Sequence, residues 1–518
     1  MTPQFHEPLT HPRGEMLLSR VPDRRNTTVL ILSILGSLIL SFVFVSSYGQ
    51  LFRTGGLVAG IFLIVVTVYR VDWGFSLLIL TSLVFGQFEV PGFETLTIQV
   101  SYFKNLKEVP YVPYSNFGDV NIFEVHLLLV VFTWFTLICV NREVRVQPVS
   151  LWFMGLLWFA WIAVSFGFGM QRGGQMLPAL WEARAIVYIS LLYFFVAQVI
   201  QDKKQIKTLM WVCIIGISVK AFEGVLRYIS NGFSTANYEA LQAHEDPLFI
   251  GTIIIFLLAL AVFGGHKGQL ATLLFLLFPL LLGFWAGQRR ASYAAFIASV
   301  ITFVVVLPRP DLRKILRYLI LCAIVLGLYL VVFWDSGSSL AGPIRQIRSG
   351  MEETDEGSGT VVKDRDYYSN LYRKIEDYNL AVTVQNSPLI GIGFGTKYEQ
   401  PLELAELHFA LRDFMAHNNV IWLLAKVGSI GFFIYWMMLN LIAMKGGALL
   451  DRLRDPYLKA VCLLIVVAVI NLMVGAYFDL HLVRYRTMIY TGTLMGLLGV
   501  LEGIDHKLSH VISRTIQK

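Results

Sequence analysis

The chain has 518 residues, of which 56% are hydrophobic and 15% charged, with a mean hydropathy of +0.63. A soluble chain of this size carries roughly 25% charged residues to cover its surface, so the composition excludes an ordinary soluble enzyme and points to a polytopic protein of the bilayer. The net charge of +7 follows from loop topology and implies no nucleic-acid partner.

Residues 1–27 are polar, with Pro and Arg, and the apolar run that follows lacks a small-residue cleavage pattern, so the first span is expected to be retained. About 20 apolar residues cross the hydrocarbon core as a helix. Runs near that length fall at 28–47, 55–70, 73–88, 122–140, 150–169, 184–200, 209–226, 248–264, 270–286, 291–307, 317–333, 418–443, 459–478 and 487–502. The expected fold is therefore an all-α polytopic membrane protein of about fourteen transmembrane helices.

Orientation follows from the basic loops. With the N-terminus in the cytoplasm, the inner segments are "RVPDRR", "NREVRVQ", "QDKKQIK", "GGHKGQ", "PRPDLRKILR", "DRLRDPYLK" and the C-terminal tail, all short and basic. Both termini are then cytoplasmic. The expected organisation is a tail at 1–27, eleven spans in 28–333, a large periplasmic loop at 334–416, three spans in 417–502 and a tail at 503–518. Residues 89–121 form a smaller outer loop, aromatic and Pro-containing. Within 334–416, "YYSNLYRKIEDYNLAVTVQNS" has amphipathic helical spacing and suits a membrane surface. "SPLIGIGFG" is expected to turn, and "LELAELHFALRDFM" to form a second short helix. Cys139, Cys213, Cys322 and Cys462 all sit in apolar runs and read as core residues, without disulfide or metal-ligand spacing.

Charge at a membrane edge is costly and suggests function. This topology puts Arg184, Arg289, Arg290, His417, Asp479, His481, Arg484 and Arg486 on the outer side. Lys220, Glu223 and Arg227 also lie there, on one helical face, and Lys220 with Glu223 reads best as a structural i,i+3 ion pair. The tight, basic outer turn "GQRRAS" works against insertion, and a diphosphate ligand would offset that cost, because guanidinium forks match phosphate oxygens. Lipid-headgroup snorkelling is the bland alternative. For Arg184, pairing with Glu182 is another.

His417 begins "HNNVIWLLAKVGSIG". At about 100° per residue, Gly428 and Gly431 fall on its stripe of the helix, where a neighbouring helix could approach closely. A position in the first turn would disfavour imidazolium and leave a neutral base; a helix-capping role, with Asn418 and Asn419, is the alternative. "GIGFG", 391–395, lacks the context of a phosphate loop and reads as a tight turn onto the membrane.

Together these residues resemble the O-antigen ligase and polymerase superfamily of bacterial membrane proteins. The resemblance rests on His-Asn followed by the Gly pair in "HNNVIWLLAKVGSIG", on Pro-x-x-Gly-x-Gly in "YRKIEDYNLAVTVQNSPLIGIGFG", and on the arginine turn "GQRRASYAAF", where Arg290 is the favoured equivalent; it covers about 180–490. It implies a GT-C-like, metal-independent glycosyltransferase without a cofactor. The donor would be a glycan on undecaprenyl diphosphate, and the acceptor lipid A-core for a ligase or a second lipid-linked glycan for an O-antigen or exopolysaccharide polymerase. The residue assignment is His417 as catalytic base and Arg184, Arg289, Arg290 and Arg373 on the diphosphate, with Asp479 orienting the histidine or the acceptor. A secondary transporter or lipid-linked-glycan flippase is the rival class; its substrate site would lie near the midplane, between related halves.

Overall fold

The computed structural model describes residues 33–38, 41, 45, 51–86, 93, 95–100, 102–108, 119–140, 146–233, 241–336, 341, 344, 365–405 and 411–516. No β-strand occurs among them. The chain divides into two units, Met1–Val66 and Thr67–Lys518. In the first, the described residues are helical, including the start of helix α1 (Leu51–Tyr69). Everything below concerns the second.

Its helices are α2 (Val71–Val84), α3 (Leu96–Gln99), α4 (Ile122–Val140), α5 (Trp152–Gln171), α6 (Met176–Val199), α7 (Lys203–Ser230), α8 (Asp246–Phe263), α9 (Lys267–Phe275), α10 (Leu277–Ala286), α11 (Arg290–Val306), α12 (Arg309–Phe333), α13 (Arg365–Asn386), α14 (Asn419–Arg452), α15 (Pro456–Phe478) and α16 (Tyr485–Ile516). Helices thus fall within every expected span from the second onward, that of 73–88 ending at Val84, while most of the first, 28–47, lies outside the described residues. Among the described residues, eight are long and apolar enough to cross a membrane. The pair α9 and α10, bent by 53°, would make a ninth, and four further apolar helices are shorter. The run 270–286 is therefore two helices rather than one.

Burial sorts the bundle into centre and rim. α15 lies at its heart, packed against α8, α11, α14 and α16, and 72% of its apolar window is buried, against 28% for α4 and for α5. The rim helices turn Leu128, Phe132, Phe153, Phe159, Ile301 and Val305 outward. With no aqueous reason to expose such side chains in rows, this surface suits lipid, and the protein is a multi-pass membrane protein. Cys213 and Cys462 are buried and Cys139 exposed, all as free thiols; Cys322 carries no described side chain.

In the large loop, the expected amphipathic helix is α13. It buries Glu376, Asn379, Leu380 and Thr383 and packs on α14, while Tyr368, Leu371 and Tyr378 are exposed. The second short helix expected at 402–415 is corrected. The chain is non-helical at Leu402–Ala405 and a turn at Leu411–Phe414, and 406–410 lie outside the described residues. A competing set of bonds meets its start: Asn379 on α13 donates to the Leu402 carbonyl at 2.8 Å and accepts its N–H at 3.1 Å, holding the segment at Leu402 against α13.

Candidate functional site

α14 is not one continuous helix. Gly428 has φ 68° and ψ 178°, a break inside it, so the helical stripe joining His417, Gly428 and Gly431 does not exist. A broken helix frees backbone groups that must find other partners. The "GIGFG" turn supplies them. Ile392 and Gly393 donate to the carbonyls of Ala425 and Lys426 at 2.8 and 2.9 Å, and Ser429 donates to the Pro388 carbonyl at 2.8 Å. Trp161 on α5 takes the Val427 carbonyl at 2.9 Å. A Cβ on Gly428 would stand 2.2 Å from the Leu389 oxygen, and one on Gly431 2.0 Å from the Trp161 ring. The glycines thus serve a three-segment junction.

Lys426 lies within that junction. Its ammonium is 2.7 Å from Glu182 Oε1, and both side chains are fully buried. Glu182 also accepts the Gly395 N–H at 2.5 Å, and Lys426 donates to the Thr396 carbonyl. The pair pins the turn between α6 and α14.

His417 precedes α14 rather than opening its first turn. Asn418 is the N-cap, accepting the Ile421 N–H at 3.2 Å. His417 is held by Glu376 of α13, whose Oε2 accepts its backbone N–H at 2.8 Å and lies 3.1 Å from Nδ1. The carboxylate is 2% exposed and the imidazole 27%. Tyr372 stands edge-on to the ring, with centroids 5.9 Å apart. A carboxylate on Nδ1 selects the tautomer with Nδ1–H and leaves Nε2 basic. The sequence reading offers Asp479 to orient the histidine or the acceptor; the carboxylate found at His417 is Glu376, which that reading does not name. The available signal was an acid on the face of α13 that also carries Leu380 and Thr383, four and seven residues on.

Asp479 serves a different histidine. His244, in the short loop before α8, places Nδ1 2.6 Å from Asp479 Oδ2. Burial together with Arg289 and Arg484 pushes this imidazole down to about 4, with Asp479 pulling the other way. Burial pushes the Asp479 carboxyl up, but His244, His481 and Arg289 together hold it well below its usual range. Arg289, the N-cap of α11, is thus the member of the arginine turn whose charge bears on His244, Asp479 and His481, whereas Arg290 is the first residue of α11. Asn419 joins the two clusters: its Oδ1 accepts the Leu482 N–H at 2.7 Å.

The remaining candidates are Arg184 and Arg373. α6 starts at Met176, so Arg184 sits two turns inside it rather than opening the span. Its Nε is 3.0 Å from Glu124 Oε1, with further bonds to Asn105 and the Asp119 carbonyl, so its acid partner is Glu124 rather than Glu182. Arg373 bears on Asp377 beside His417: burial pushes that carboxyl up, and Asn418, Arg373 and His417 draw it back. Glu223 accepts from Lys220 at 2.5 Å, from Arg227, and from Thr95 and Thr97 at 2.7 and 2.8 Å, a structural network anchoring the start of α3. No group of three or more His, Cys, Asp or Glu placed to hold a metal occurs among the described residues.

An all-helical polytopic membrane protein with histidine–carboxylate pairs and arginines gathered near its helix ends is the class these observations define. The family model described as O-Antigen ligase matches residues 272–436, from within α9 to within α14. That match supports the O-antigen ligase and polymerase superfamily and, with it, an O-antigen ligase-like enzyme working on lipid-linked glycans at a membrane. It takes in Arg289, Arg290, Arg373, Glu376 and His417 and leaves out Arg184, His244 and Asp479. No curated protein matches the chain.

Proposed function

We propose that this protein is an inverting glycosyltransferase of the O-antigen ligase type. It moves a glycan from undecaprenyl diphosphate to a sugar hydroxyl of lipid A-core at the periplasmic face of the bacterial inner membrane. The observation that carries the reading is the His417–Glu376 pair at the mouth of α14, tied through Asn419 to the turn bearing Asp479 and Arg484.

Nε2 of His417 takes the proton of the acceptor hydroxyl, whose oxygen attacks the anomeric carbon as the bond to phosphate breaks. Glu376 stabilises the imidazolium that forms. The diphosphate leaves with the bonding pair, and its growing charge meets the guanidinium groups of Arg289, Arg290 and Arg484. Tyr372, beside the imidazole, offers an aromatic wall to the acceptor sugar. Arg373 stands on this acceptor side, and Arg184, engaged by Glu124, supports the donor side from α6.

The test is the surface glycan of cells carrying His417→Ala with wild-type amounts of membrane-inserted protein. All long and short glycan on lipid A-core should be lost. Normal surface polysaccharide in that strain would sink the mechanism. A single repeat unit left on the core, or loss confined to secreted polymer, would move the acceptor to a second lipid-linked glycan and make the enzyme a polymerase.

A further inference from the structure

The pair at the arginine turn has a chemistry of its own. Four segments build it: His244 from the loop before α8, Asp479 from the end of α15, Arg289 from the cap of α11, and His481 and Arg484 from the turn before α16. Asp479 is 2% exposed, and its second oxygen accepts the Leu480 N–H at 2.8 Å. Glu245, next to His244, is engaged by Arg486 at 3.1 Å. Among the described residues, neither ring nitrogen of the buried His481 and not Nε of Arg484 finds a hydrogen-bond partner. Buried polar groups left so are rare, and Arg289 and Arg484 stand with Asp479 and Glu245 around His481, a mixed-charge setting in which an added anion would meet two guanidinium groups.

Resting on the transferase reading above, we propose that His244 is a positioning residue for the donor diphosphate: held by Asp479, it takes up one proton as the diphosphate binds beside Arg289 and Arg484. The imidazole is neutral in the empty site, since burial and the two guanidinium groups disfavour its charge. A bound diphosphate diester offsets those cations and attracts imidazolium, and both effects raise the proton affinity of His244. The proton comes from solvent, and no bond to the sugar forms or breaks in this step. Asp479 accepts from Nδ1 in both states.

The sign follows from linkage. The histidine's value is raised in the bound state, so donor affinity is constant above that raised value and strengthens as pH falls from it towards about 4. The expected slope between those limits is about tenfold per pH unit.

The experiment is calorimetric titration of the full-length protein in nanodiscs with an undecaprenyl diphospho-sugar diester, in two buffers of different ionisation enthalpy. Both phosphates of a diester stay ionised from about pH 5 to 8, so proton uptake reports on the protein. At about pH 5.5 the wild type should take up about one proton per diester bound; His244→Asn, whose amide still donates to Asp479 but does not titrate, should take up about none and bind about tenfold more weakly. Binding by the wild type without proton uptake overturns the inference and leaves the transferase reading intact, as does equal uptake by His244→Asn. No binding of the diester by the wild type overturns both. Should His244→Asn fail to fold, Asp479→Asn takes its place: loss of the carboxylate charge should reduce the uptake, and unchanged uptake counts against the proposal.

Discussion

Asn419 Oδ1 accepts a hydrogen bond from the Leu482 backbone N–H at 2.7 Å, with both residues buried. Asn419 follows His417 by two residues, and Leu482 lies three residues after Asp479 and two before Arg484. One amide therefore fixes His417 relative to the turn that bears Asp479 and Arg484. Asn419→Ala leaves the Leu482 N–H buried and unpaired, which costs about 1–3 kcal/mol. A lower unfolding temperature in detergent should accompany a loss of transfer larger than stability alone explains. Wild-type turnover in a destabilised Asn419→Ala would show that the register between the two segments does not matter.

Glu376→Gln isolates the charge of the His417 pair. The amide oxygen still accepts both the backbone N–H and Nδ1–H, so fold and tautomer persist. What is lost is the stabilisation of imidazolium, and kcat should fall about 10²–10³-fold. Donor KM should stay within about threefold, because the change acts only once the proton has moved. A rise in donor KM with kcat intact would place Glu376 on the wrong side of the reaction.

Lys426 and Glu182 form an ion pair with both side chains at 0% exposure. Removing one partner of such a pair leaves an uncompensated buried charge, so Lys426→Met should cost about 3–5 kcal/mol. Combining it with Glu182→Leu should recover most of that loss, since an apolar pair has no charge to bury. Thermal unfolding of the two single variants and the double variant settles the matter; a double variant as unstable as the sum of the singles would contradict it.

Gly428 occupies a backbone region that only glycine enters freely, and its Cα faces the Leu389 carbonyl. Gly428→Ala should cost about 1–3 kcal/mol in backbone strain alone, with the steric clash added to it. Loss of folded protein, more severe than for alanine at the open Gly327, is the expected result on size-exclusion chromatography.

Much of this was legible beforehand. Hydropathy located the membrane helices because spanning a bilayer imposes a length and an apolar composition on each segment independently. The His-Asn and Pro-x-x-Gly-x-Gly elements marked the His417 region, and Lys220 with Glu223 is legible as an ion pair because i, i+3 on one helix settles their proximity; that Arg227 shares the same carboxylate came from the structure. The helical wheel through Gly428 failed for a physical reason: it assumes unbroken φ/ψ, and a glycine whose freed neighbours are satisfied by another segment removes that assumption.

By itself, then, the sequence determined a multi-span helical membrane protein with a histidine element and an arginine turn, since those are properties of single segments. Only the tertiary structure decided the pairings. His417 went to Glu376, 41 residues earlier, and Asp479 went to His244, 235 residues earlier. A carboxylate carries no local signal naming the imidazole it will meet. Its partner is set by which helix ends pack together and by the cost of leaving any buried charge or amide unmatched.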